Sequence, residues 1–208
     1  ETGRIAAVQV PTILNEAGIA FQPIDELNWS EYPYKPKVEF RIAHTGHSLL
    51  LHYRVTEQSV RAVAESDNGR VWEDACCEFF IQPNLQEPVY YNFECNCAGT
   101  LLLNCGKVGD RHPAPKEVLA SIDRWSSLGR EPFEERIGEC SWELALVIPA
   151  SALFNDTITD FGGRTLHGNF YKCGDLLQVS HFLSWNPIQL PKPCFHCPEF
   201  FGELIFKK

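Results

Sequence analysis

The chain predicts an all-β fold, an antiparallel β-sandwich of two packed sheets with a short helix and long loops. Apolar and polar residues alternate with a period of two in segments spread from end to end, as strands with one buried face require. No segment sustains the apolar i, i+3, i+4, i+7 spacing of a long helix. Turn residues separate the alternating segments, so about eight to ten short strands pair as antiparallel neighbours rather than through the crossovers of a parallel sheet.

The elements follow in order. Val38, Phe40 and Ile42 alternate with Glu39 and Arg41; beyond Thr45-Gly46, Leu49, Leu51, Tyr53 and Val55 alternate with Ser48, His52 and Arg54, and the two runs read as a hairpin. A strand over 74–81 puts Cys77, Phe79 and Ile81 on one face and Asp74, Cys76 and Glu78 on the other, with Phe80 breaking the pattern. Over 89–97, Tyr91, Phe93, Cys95 and Cys97 oppose Tyr90, Asn92, Glu94 and Asn96, and 100–104 is the partner beyond Gly99. From 106 to 138 the pattern dissolves into a long connection, where Val118, Leu119, Ile122 and Trp125 suggest a helical turn or an irregular strand. Regularity returns at Cys140, Trp142, Leu144, Leu146 and Ile148; Pro149 then ends the strand and suits the first turn of a short helix through Phe154. Further strands fit 167–173, 177–183 and 202–206. No repeat or linker divides the chain, which reads as one domain over 1–208.

Composition narrows the function. A hydrophobic content of 44% suffices for a core. The net charge of -9, with only 18 scattered Lys and Arg, argues against a nucleic-acid partner. No apolar run approaches the roughly 20 residues of a membrane span, and no leader opens the chain. Met is absent even at position 1, which fits a processed or trimmed chain, so the want of a leader carries no weight. Nine cysteines are an odd number in a chain large enough not to need staples, and several sit on core faces, so mostly reduced thiols are expected.

The most informative stretch is 70–81, which sets Trp72 at the mouth of a strand whose polar side carries carboxylates. Trp185 lies in Leu183-Ser184-Trp185-Asn186-Pro187, where the proline ends local structure and would leave the ring on a loop. Trp142, in phase with Leu144, Leu146 and Ile148, reads as core, and Trp29 as a staple near the N-terminus. The polar strand faces offer planar groups, Glu78, Asn92, Glu94 and Asn96 among them. Such groups match sugar hydroxyls, while an aromatic face covers the C–H patches of a pyranose. Any antiparallel sheet has a solvated polar face, so this set gains weight only if Trp72 and Trp185 converge as an open clamp over Glu78 and Asn92 or Asn96. A rival reading pairs Asp74 or Glu78 with Glu94 for glycoside cleavage, but nucleophile motifs are missing. Cys194-Phe195-His196-Cys197 has the spacing of half a zinc site, with Cys95/Cys97 or Cys76/Cys77 as candidates for the rest; Cys95 and Cys97 project to the apolar side of Tyr91 and Phe93, and packing or an adventitious disulfide accounts for the spacing more simply.

The run Val71-Trp72-Glu73-Asp74-Ala75-Cys76-Cys77-Glu78-Phe79-Phe80-Ile81 resembles the signature strand of carbohydrate-binding module family 9. The order of features over nearly the whole chain is similar too, from the early hairpin to Ser184-Trp185-Asn186 and Pro198-Glu199-Phe200-Phe201-Gly202. The resemblance implies a DOMON-like β-sandwich that binds rather than cleaves, with two tryptophans sandwiching the terminal sugar of a glucan or xylan. By motif, Trp72 is similar to the first plate, Glu78 to the hydroxyl-binding acid and Trp185 to the second plate. It also implies bound calcium, often structural, no required cofactor, service to a glycoside hydrolase in polysaccharide catabolism, and a secreted or periplasmic location. The unpaired cysteines leave a cytoplasmic location as the alternative. DOMON-like sandwiches also resemble haem binders, and the seven His and nine Cys keep a haem- or metal-binding module as a further rival. Arginine-type sugar ligands have no counterpart on 90–97, where Asn92, Glu94 and Asn96 stand.

Overall fold

The computed structural model describes residues 3–208. Helix α1 (Val10–Glu16) precedes a two-residue strand β1 (Gln22–Pro23), then β2 (Lys37–His44) and β3 (Ser48–Ala62). A meander follows: β4 (Cys76–Gln82), β5 (Tyr90–Asn96), β6 (Leu101–Lys107) and β7 (Asp110–Pro113). After α2 (Lys116–Ala120) come β8 (Asp123–Ser126), β9 (Phe133–Pro149), β10 (Thr165–Cys173), β11 (Phe182–Ser184) and β12 (Gly202–Ile205). All ladders are antiparallel. One sheet has the order β1-β2-β3-β9-β8; the other runs β11-β10-β4-β5-β6-β7, with β12 sharing the outer edge of β10 with β11.

The two sheets close on the inward faces that the alternation defines. Val38 pairs with Val55, Phe40 with Tyr53 and Ile42 with Leu51, and the core faces them with Phe79, Phe93 and Phe170 from the second sheet. Phe40 stacks on Phe170 with ring centroids 3.6 Å apart, and Phe79 lies 4.9 Å from Phe170. Each such buried side chain contributes roughly 1.5–3 kcal/mol relative to exposure. Trp142 is buried in this core, and its indole N–H donates to Glu57 Oε2 at 2.7 Å. Glu57 on β3 also pairs with Lys172 on β10 at 3.0 Å, so a fully buried ion pair bridges the sheets.

Several elements depart from the expectations. The β3–β9 ladder runs on to Ala62 and Phe133, past the point where alternation stops, because two register shifts flank Val60 and move the side chains out of phase. The connection 106–138 resolves into β7, α2 and β8, each too short to show a period. Helix α1 escaped notice for the same reason: only Val10 and Leu14 are buried, packing on the outer side of the first sheet against Leu50, Ala145 and Val147. The helix expected after Pro149 is a single 3-10 turn, Ala150–Ala152, and the strand expected over 177–183 contracts to β11. No helix of the described residues is long and apolar enough to cross a membrane.

The outer face of the second sheet positions the site. Half of it is roofed by a second apolar cluster, in which Phe80, Tyr90 and Tyr171 meet Trp29, Ile188, Cys197 and Phe201 from the overlying segments. Phe80 therefore points outward in regular alternation, and it is apolar because protein covers it. Trp29 pins the cover, donating its indole N–H to Leu190 O at 2.8 Å.

Candidate carbohydrate site

Beside that roof, a cavity of about 440 Å³ opens over β4, β5 and β6, within the roughly 300–1,000 Å³ range of small-molecule sites. Its polar lining comes from Glu78, Asn92, Glu94, Asn104 and Arg111, with Asp175 at the margin; Trp72, Phe182, Phe195 and His196 supply rings. Trp72 stands half-buried on the 3-10 turn Val71–Glu73, and its carbonyl accepts the Asp175 N–H at 3.2 Å. Trp72, Phe182 and Phe195 all pack on one small cluster of Val71, Cys76, Leu102 and Cys173, which sets their rings around the same opening.

A polar chain crosses the cavity floor. Arg111, from β7, lies over the Tyr90 ring at 3.8 Å and donates to Tyr90 O at 3.0 Å, to Gly106 O and to Asn92 Oδ1. Asn92 in turn donates to Glu94 Oε2 at 2.5 Å, Glu94 faces Glu78 across the β4–β5 ladder, and Glu78 Oε1 lies 3.1 Å from Cys173 Sγ. The Arg111 Nε–H is buried without an acceptor. Burial raises both carboxyls of the facing pair, Glu78 well above its ordinary range. Asn92 and Arg111 favour the ionised form at Glu94, whereas Cys173 and Glu94 disfavour it at Glu78. Ionisation of the pair is therefore disfavoured, most strongly at Glu78. Burial, with Glu94 and Glu73 nearby, also raises Asp175 to about 6. His196 is lowered to about 4 by burial and by Arg111, so its neutral ring meets the Tyr90 hydroxyl at 2.7 Å.

Of the residues the sequence singled out, Trp72, Glu78 and Asn92 lie at this cavity, and Trp185 and Asn96 do not. Trp185 continues the β11 ladder, its N–H bonding Phe170 O at 2.8 Å, so alternation turns its ring to the same side as Leu183, toward the core. There it packs edge-on against Phe40 and Phe170 at 6.0 and 5.7 Å and borders a separate depression with Ile42 and Phe206. Trp185 is half-buried, as Trp72 is, but at this depression and not at the cavity. At the cavity, the rings beside Trp72 are Phe182 and Phe195 and not a second tryptophan. Asn96 is fully buried and committed: its Oδ1 accepts Ala98 and Thr100 N–H groups, and its Nδ2 donates to Asp74 Oδ2, each at 3.0 Å. Asp74 is equally occupied, receiving Val63 N and Ala64 N. Arg111 brings to the cavity a guanidinium that 90–97 lacks, but it arrives from a strand without periodic signal. Phe195 and His196 were visible only as the interior of a Cys-x-x-Cys spacing.

The calcium implied by the resemblance meets a poor donor set. Among the described residues, the one group of three or more close His, Cys, Asp or Glu ligands is Cys76, Glu78 and Cys173. Calcium takes six to eight oxygens, and two thiols with one carboxylate do not suit it. Cys95 and Cys97 face the core, away from Cys194 and Cys197, so they complete no zinc site with that pair.

The family comparison marks this sandwich as a carbohydrate-binding module. The chain belongs to carbohydrate-binding family 9, whose family model matches residues 8–206. It is similar, at 60% identity and a TM-score of 0.97, to a protein from Bacteroides uniformis ATCC 8492 proposed to bind carbohydrate; the match covers 100% of this chain and 95% of that one. A family 9 module from Caldicellulosiruptor kristjanssonii, solved with glucose, shares the fold at 11% identity and a TM-score of 0.61, covering 99% of this chain and 92% of that one. Its complex with cellotriose gives 11% identity and a TM-score of 0.59, covering 100% and 90%. No curated protein matches the chain.

Proposed function

We propose that the cavity takes the terminal sugar of a glucan, xylan or related oligosaccharide, with Trp72 as stacking plate and Phe182 or Phe195 as the opposing apolar wall. Glu78, Asn92, Glu94, Asn104 and Arg111 would bond its hydroxyls. The observation that carries this reading is the meeting, on one sheet face, of rings with planar donors and acceptors, including a buried guanidinium N–H without an acceptor. The glucose and cellotriose bound by the Caldicellulosiruptor module support a glucan end as the first ligand to try.

Binding is favoured over cleavage. Glu78 and Glu94 stand directly opposite each other on neighbouring strands of one sheet face, whereas the two acids of a glycosidase flank the scissile bond. The module would serve polysaccharide catabolism outside the cytoplasm, beside or attached to a glycoside hydrolase. Titration with glucose, cellotriose and xylan, mannan and host-type oligosaccharides, followed by tryptophan fluorescence and calorimetry, tests the reading. Saturable binding that Trp72→Ala weakens is expected, without reducing-end release. A flat response across the panel would overturn it.

A further inference from the structure

Beneath the cavity, three ligating side chains converge on two central strands. Cys76 on β4 and Cys173 on β10 stand directly opposite each other in the ladder, and Glu78 lies two residues along β4 on the same outward face. One ligand atom from each lies within 4.8 Å of the others, and all three residues are buried. Other contacts of the sulfurs are long, 3.8 Å from Cys76 to Cys77 O and 3.6 Å from Cys173 to Trp72 O. Cys77, Cys95, Cys97 and Cys105, by contrast, point into the apolar core. Glu78 and Cys173 also line the cavity, which gives a path from solvent.

We propose that Cys76, Glu78 and Cys173 form a binding site for one borderline-soft divalent cation of the zinc type, with its fourth coordination position facing the cavity. Tetrahedral zinc holds sulfur at about 2.3 Å and carboxylate oxygen at about 2.0–2.2 Å, which places neighbouring donors under about 4 Å apart. Donors already within 4.8 Å reach that arrangement by small side-chain rotations. Thiolate donors select zinc-type ions over calcium and magnesium, and three protein ligands with one open position define an exchangeable site rather than a closed structural one. Coordination displaces three protons to solvent, one from each thiol and one from the Glu78 carboxyl, whose ionisation burial disfavours, so two thiolates, one carboxylate and a divalent ion leave a net charge of -1 at the centre.

The test is a cobalt(II) titration of the fully reduced protein, read by thiolate-to-cobalt charge-transfer absorption. The background is Cys194→Ser/Cys197→Ser, which removes the competing Cys-x-x-Cys pair, of which Cys194 lines the cavity and Cys197 sits in the roof. One equivalent should bind, zinc should displace it, and Cys173→Ser or Cys76→Ser should weaken binding about tenfold or more. Should those variants fold poorly, X-ray absorption of the zinc-loaded Cys194→Ser/Cys197→Ser protein decides, with two sulfurs expected in the first shell. Absence of stoichiometric binding in that background, a first shell without sulfur, or unchanged affinity in a folded Cys173→Ser protein overturns the site. None of these readouts uses a sugar, so the metal site stands or falls separately from the glycan site.

Discussion

Replacing Lys172 with Met would test how the two sheets are tied together. Lys172 is fully buried, and its ammonium donates to Glu57 Oε1 at 3.0 Å, to Cys173 O at 3.0 Å and to His181 Nε2 at 2.7 Å. Burial disfavours its charge, but Glu57 outweighs that and its pKa is raised, so the ammonium persists. Methionine fills similar space without a donor. Glu57, itself buried, would keep only the Trp142 indole N–H, and Cys173 O and His181 Nε2 would each lose a bond. Breaking a buried pair from one side costs about 3–5 kcal/mol, which lowers the urea midpoint by about 1–2 M. The double variant Lys172→Met/Glu57→Gln removes both charges and should recover part of that loss, with a coupling energy of about 2 kcal/mol or more. Equilibrium urea unfolding followed by fluorescence measures all three differences. If Lys172→Met lies within 1 kcal/mol of the parent, or the two substitutions simply add, the pair does not bridge the sheets as argued (threshold of roughly 1 kcal/mol from the spread of ordinary substitutions).

The remaining expectations are briefer. His181 is lowered to about 2, first by burial and then by Lys172, against about 6.5 in the unfolded chain. The unfolded state thus binds a proton that the folded state refuses, and stability is lost as pH falls below 6.5. His181→Gln, which keeps an acceptor, should reduce the loss between pH 7 and 5 by about 2 kcal/mol, and parallel denaturation curves for the two proteins would refute this. For sugar binding, Trp72→Ala should weaken affinity by about 2 kcal/mol, roughly thirtyfold, while Trp185→Phe should leave it unchanged; calorimetry separates the cavity from the second depression. Asn96→Ala removes the acceptor of two buried N–H groups at the β5–β6 turn and should cost about 1–3 kcal/mol, read as a lower thermal midpoint.

Period-two alternation by itself determined the sandwich, because a strand with one buried face writes that face into its sequence. The β2–β3 hairpin, both faces of β4 and β5, and the core position of Trp142 were all legible this way. So were Trp72, Glu78 and Asn92 as candidates, through polar groups on a strand face next to a ring. What lies across space was not legible. Trp185 has polar neighbours yet turns inward, because its backbone extends the β11 ladder. Asn96 looks like its neighbour Asn92, but its carbonyl oxygen accepts two turn N–H groups and its amide donates to Asp74. Arg111 and Phe195 enter the cavity from short segments whose positions depend on pairing with β6 and on packing over Tyr171. Alternation assigns a side chain to a face; only the folded chain decides whether that face meets solvent, a roof of loops or a cavity.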